Sequence, residues 1–148
     1  MLVYLDNCCY NRPYDEQYQL RIVLETQAKL YIQRLIVERK LDLAVSYISN
    51  FENNENPGKD RRRSIKKFFG NATVYIDNEN ISDVEVLAKE IRAMNIAAKD
   101  ALHIACALIA KCDAFITTDD GILKHYKKDD IDICTPITFF NIYGKEII

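Results

Sequence analysis

Glycine and proline are scarce in this chain, four and three among 148 residues. Loop-rich domains and β-sandwiches need turn residues at short, regular intervals, so neither architecture is expected. Long apolar runs are also missing, and none approaches the ~20 residues of a membrane helix. The N-terminus carries a short apolar run with no basic region before it, so a secretory leader is not expected. The five cysteines (Cys8, Cys9, Cys106, Cys112, Cys134) show neither a CxxC pair nor a Cys/His metal spacing. They read as reduced, mostly buried thiols of a cytoplasmic protein. There is no GxGxxG, Walker A or GxSxG motif, which disfavours nucleotide-cofactor chemistry and a serine nucleophile. The formal charge is −2, so any nucleic-acid surface has to be local.

What is present suits one globular domain with a sizeable core: 49% apolar and 28% charged residues. Leu2-Val3-Tyr4-Leu5 is a continuous apolar run, as expected of a strand buried on both faces. A long helix is expected over 16–38, behind Asp15 as N-cap. Leu20, Val23, Leu24, Ala28, Tyr31 and Leu35 form its inner face, with Arg21, Glu25, Lys29 and Arg34 outside. Further strands are expected at 41–48, 73–76, 114–117 and 131–134. Helices are expected from Ser49, over 59–69 with a Gly70-Asn71 cap, after a Ser82-x-x-Glu85 capping box with an Ile81/Val86 staple, over 99–111, after Gly121, and from Pro136. Ala101, Ile104, Ala105, Leu108 and Cys112 face inward on the 99–111 helix. Strands alternating with helices imply βαβ units with right-handed crossovers. The expected fold is three-layer α/β/α with a short, mostly parallel five-stranded sheet.

In such a sheet the carboxyl ends of the strands share one edge, where ligands gather. Asp6 ends the first strand, Glu52 follows the second, and Asp119 follows the fourth. Asp100 opens a long helix. Each has a local explanation: Ser49-x-x-Glu52 matches a capping box, Asp100 suits a helix dipole, and Asp119 and Asp120 suit a turn. Local needs do not explain why acids mark the same edge of separate units. Clustered carboxylates repel one another, and hard divalent ions with oxygen ligands, Mg²⁺ or Mn²⁺, relieve that repulsion. Such ions also serve phosphodiester hydrolysis.

These residues resemble the PIN-domain nucleases, including the VapC-type toxins. The resemblance is carried by Val3-Tyr4-Leu5-Asp6-Asn7, Phe51-Glu52, Asp100-Ala101-Leu102-His103-Ile104-Ala105-Cys106-Ala107 and Thr117-Thr118-Asp119-Asp120, in the family's order along nearly the whole chain. It implies that Asp6, Glu52, Asp100 and Asp119 hold one or two Mg²⁺ or Mn²⁺ ions for endonucleolytic cleavage of RNA, leaving a 5′-phosphate. Asn7 and Thr117 would orient these acids, and Asp120 is a further candidate. An antitoxin protein and a homodimer are the implied partners. The family often has Asn two positions after the first Asp, where this chain has Cys8. Glu55, one helical turn beyond Glu52, is the alternative second acid.

Lys59, Arg61, Arg62, Arg63, Lys66 and Lys67 form the only dense basic segment. On one helix, Arg62/Lys66 and Arg63/Lys67 repel at i,i+4, a cost compatible either with phosphate contacts or with a solvated face. Arg61, Arg62, Arg63, Lys66 and Lys67 are therefore the nucleic-acid-binding candidates. His103, one turn beyond Asp100, reads as a packed histidine more than as a proton shuttle. Two other functions compete: a catalytically degenerate PIN-like module that binds RNA or a protein, and a phosphoryl-receiver-like domain. The latter has Asp77 after a strand but no lysine at the required strand end.

Overall fold

The computed structural model describes residues 1–147. The apolar run forms β1 (Leu2–Leu5), in which Val3, Tyr4 and Leu5 are buried. Successive strand side chains point to opposite faces, so Tyr4 enters one core while Val3 and Leu5 enter another. Around β1 lie β2 (Asp42–Ser46), β3 (Val74–Ile76), β4 (Ala114–Ile116) and β5 (Asp132–Cys134). The strand order is β3-β2-β1-β4-β5 and all four pairings are parallel.

Among the described residues eight helices cover the two faces: α1 (Asn7–Asn11), α2 (Leu20–Val37), α3 (Tyr47–Asn54), α4 (Lys59–Phe69), α5 (Ile81–Arg92), α6 (Ala98–Ile109), α7 (Asp120–His125) and α8 (Pro136–Ile147). On one face Tyr4, Ala44, Ile76 and Phe115 pack with Val84 and Ile91 of α5 and Ile104 of α6. On the other, Val3, Leu43 and Ile116 pack with Ile32, Leu35 and Ile36 of α2, Ile65 of α4 and Phe139 of α8. The fold is thus the expected three-layer α/β/α. After β3 the chain crosses to the far side of β1, and the crevice between the carboxyl ends of β1 and β4 is a topological switch point. Among the described residues no helix is long and apolar enough to cross a membrane.

Helix α2 departs most from expectation. Residues 7–14 fold as α1 and a 3₁₀ turn, and Asp15 pairs with Arg12 at 3.0 Å instead of capping a helix. The helix is also rotated: Leu20 and Leu24 are 72% and 47% exposed, while Glu25 and Lys29 are 1% and 3% exposed. Its apolar residues are spread around the cylinder, so periodicity alone does not select a face. Ion pairing supports the buried acid, with Arg12 and Arg21 each 3.4 Å from Glu25. Lys29 lays its ammonium over the Tyr10 ring, 5.6 Å from the centroid.

Helix α5 starts at Ile81, so Ser82 lies inside its first turn and the expected capping box does not form. Ile81 and Val86 are exposed rather than stapled together. Asp77 instead caps the 3₁₀ turn before α5, accepting from the Glu79 amide at 2.9 Å. Gly70 caps α4 in the right-handed conformation (φ −62°). With glycine scarce, the left-handed positions after α2, α5 and α6 fall to Arg39, Asn95 and Lys111, at φ 61–64°.

Burial lowers the Lys29 pKa from 10.5 to about 8. Between these values the unfolded chain binds the proton that the native state has released, so stability rises with pH across that window. Below pH 8 the full cost, about 3 kcal/mol, is present. Lys29→Met is therefore expected to raise the unfolding free energy at pH 7 by about 1–3 kcal/mol. In urea denaturation at both pH values, the gain over wild type should shrink towards pH 10.

Candidate metal centre

Asp6 is the residue after β1 and the N-cap of α1. Its Oδ1 accepts from the Asn7 amide at 2.8 Å. Its Oδ2 accepts from the Thr117 hydroxyl at 2.8 Å and the Cys8 thiol at 3.3 Å. Asn7 thus supports Asp6 through its backbone, while its side-chain oxygen accepts from Asn11. Cys8 fills the corner where the family often has Asn, and its sulfur also accepts from the Thr118 amide at 3.3 Å. Asp6 is 3% exposed, and this set of donors satisfies its charge.

Glu52 is placed by the end of β2. The strand was expected to run to residue 48, but Ser46 turns the chain into α3: its Oγ accepts from the Ser49 amide, and the Ser49 Oγ accepts from the Ser46 amide. That box uses Ser49, so the Ser49-x-x-Glu52 box does not form. The Glu52 carboxylate reaches over to α6, where its Oε1 lies 2.5 Å from His103 Nε2. Glu55 caps the end of α3 and its carboxylate approaches Lys99 at 3.9 Å, leaving Glu52 as the acid of the cleft.

Asp100 sits in the first turn of α6, half-buried. Asp119 precedes α7, its Oδ1 accepting from the Gly121 and Ile122 amides at 2.8 and 3.2 Å, and its own amide donates to the Thr117 hydroxyl at 3.0 Å. Thr117 therefore bridges Asp6 and Asp119. Asp120 is turned elsewhere. It forms a two-pronged contact with Arg21 at 2.8 and 3.0 Å, which holds its carboxyl below the ordinary range.

Asp6, Glu52, Asp100 and Asp119 line one cleft of about 370 Å³, which Arg12 and Asp15 also line. Burial first, then the charges of Asp6 and Asp119, push the Asp100 pKa from 3.8 to about 6. The acids therefore sense one another across the cleft. An all-carboxylate donor set with this mutual repulsion fits a hard divalent cation. The shell is nevertheless open. Among the described residues, no three His, Cys, Asp or Glu side chains stand close enough together to hold an ion as placed. The four acids line one cleft without standing as an assembled ligand set, and Asp6, Glu52 and Asp119 are each held by protein donors.

The basic segment divides. Arg62 is tied to the Asn56 carbonyl at 2.7 Å, a contact within the α3–α4 turn. Arg63 and Lys66 are exposed, and Lys67 borders a cavity of about 590 Å³ between α2 and α4, which none of the four acids lines. Arg61 alone of these five residues lines the groove beside the acids, together with Lys99, and Asn7, Asn11 and Glu52 are shared with the acidic cleft. Sequence reasoning missed Lys99, Arg12 and the role of His103. The signals were adjacency to Asp100 for Lys99 and the one-turn spacing for His103; Arg12 had none.

No protein-family model and no curated protein sequence matches this chain. Solved structures do. A chain of FitAcB from Neisseria gonorrhoeae matches with a TM-score of 0.54 and 18% identity, over 91% of this chain and 98% of that one. A chain of FitAB bound to an IR36 DNA fragment matches with a TM-score of 0.57 and 21% identity, over 90% and 94%. The shared fold is PIN-like and spans nine-tenths of the protein.

The raised Asp100 pKa means that the native state binds its proton more tightly than the unfolded chain does, so metal-free stability falls as pH rises from 3.8 to 6. Asp100→Asn is accordingly expected to raise the Tm of metal-free protein at pH 7 and to change it little at pH 4, measured by thermal denaturation in chelator.

Proposed function

We propose that this protein is a Mg²⁺- or Mn²⁺-dependent endoribonuclease, and the toxin of a toxin–antitoxin pair acting in the cytoplasm. The observation that carries this reading is the meeting of four carboxylates, from β1, α3, α6 and the β4–α7 turn, in one cleft at the switch point of a PIN-like sheet. Asp6, Glu52, Asp100 and Asp119 would hold the ion. When bound, it supplies polarisation of a phosphodiester and a more acidic water.

The chain's own residues orient and position. Thr117 and Cys8 fix Asp6, and the first amides of α7 fix Asp119. In Glu52 and Asp119 one carboxylate oxygen is engaged and the other has no protein partner among the described residues, and Asp6 keeps a spare lone pair on Oδ1, which accepts one amide, while Oδ2 already accepts from two donors. Arg61 and Lys99, which line the adjoining groove, would hold a neighbouring phosphate of an RNA strand. An antitoxin protein and a second copy of the chain are the partners this reading brings.

The open shell and Cys8 favour a second reading, a catalytically degenerate module that binds RNA or a protein. Purified Asp6→Asn and Asp100→Asn variants separate the two. Each is expected to keep its fold and to lose Mn²⁺-dependent cleavage of single-stranded RNA by ~100-fold or more, at least the loss typical of a mere supporting partner. Undiminished cleavage by the double variant, or none by wild type, rejects the nuclease.

A further inference from the structure

Below the cleft lies a buried polar chain that packing alone does not require. Tyr4 is 0% exposed and His103 1% exposed, inside a helix otherwise buried through Ala101, Ile104, Ala105 and Cys106. The Tyr4 hydroxyl lies 2.6 Å from Ser46 Oγ, 3.1 Å from Ser49 Oγ and 2.6 Å from His103 Nδ1. The other ring nitrogen, Nε2, meets Glu52 Oε1 at 2.5 Å.

The directions of these bonds follow from the partners. An ionised carboxylate only accepts, so Nε2 carries the hydrogen. In the neutral ring Nδ1 then accepts, and the Tyr4 hydroxyl donates to it. The tyrosine oxygen is left to accept from the serine hydroxyls, and burial keeps its proton in place. Tyr4 also packs edge-on against the imidazole, with centroids 5.6 Å apart. The two contacts fix the ring plane, and in the neutral ring they select the Nε2–H tautomer.

We propose that His103 is a positioning residue of the cleft: anchored on Tyr4, it holds Glu52 by one oxygen and leaves the other free towards the acids. Since Asp100 is one turn earlier on the same helix, α6 sets two of the four carboxylates, one directly and one through the imidazole. The role rests on the metal-dependent reading above. It is specific to Glu52, whereas a purely structural histidine would stabilise the core and leave ion affinity unchanged.

The test is calorimetric titration of Mn²⁺ into wild type, His103→Leu, His103→Gln, Tyr4→Phe and Glu52→Gln, with Tm measured alongside. A glutamine amide can take the place of Nε2 as donor to Glu52. His103→Leu is expected to weaken Mn²⁺ binding about 10–100-fold, the range for lost supporting hydrogen bonds, and His103→Gln to recover most of it. Tyr4→Phe, which releases the ring without removing it, should weaken binding less. In a Glu52→Gln background, His103→Leu should cost little further, because both act through one carboxylate. If His103→Leu fails to fold, Tyr4→Phe and His103→Gln carry the comparison: wild-type affinity in the former, or loss in the latter equal to Glu52→Gln, overturns the role. Wild-type affinity in a folded His103→Leu, with only Tm lowered, also overturns it. A wild type that binds no Mn²⁺ overturns the functional reading, and this role falls with it.

Discussion

Repulsion between like charges is the constraint around which the carboxyl edge of this sheet is built. A parallel sheet delivers every strand end to the same side, and here those ends and one helix start carry carboxylates. Two such charges 4 Å apart repel by about 1 kcal/mol in water and about 4 at an effective dielectric of 20. The fold tolerates them by giving most of them donors of their own: one backbone amide, a hydroxyl and a thiol for Asp6, two amides for Asp119, an imidazole for Glu52. Asp100 has none of these among the described residues, and burial together with the charges of Asp6 and Asp119 raises its proton affinity. The same anchoring keeps the acids apart, which is why they share a cleft without forming a closed shell.

Two cross-braces connect this edge to the rest of the molecule. One joins the neighbouring strands β1 and β4, where the Thr117 hydroxyl donates to Asp6 and accepts from the Asp119 amide. The other joins β1, α3 and α6 through Tyr4, His103 and Glu52. Tyr4 stacks on Phe115 of β4, with centroids 5.4 Å apart, so the second brace is seated on the core that also fixes the first. Packing at the sheet centre and geometry at its edge are therefore not independent.

Much of this was legible in the amino-acid order. The apolar run at 2–5, the short strand near 114 and the proline-started last helix located the sheet and its carboxyl edge, because continuous burial and capping are local signals. Helix α2 was misread because its apolar residues lie on several sides, so burial of Glu25 and Lys29 was decided by partners far away in sequence, Arg12 and Tyr10. Glu52 was ambiguous for a similar reason. Two serines three apart competed to start α3, and the winner, Ser46, was fixed by the tyrosine beneath it. His103 was read correctly as packed, but its partner lies 51 positions away, beyond any spacing rule.

The most direct measurement is a crystal structure of the wild-type protein soaked in Mn²⁺, with the ion located by its anomalous signal. The expected result is a peak in the cleft within coordination distance of Asp6, Asp100 and Asp119, with those side chains closer together than in the present structure and the free oxygen of Glu52 turned towards the ion. Full soaking with no peak there, or an ion bound elsewhere while the four acids stay apart, would contradict the account.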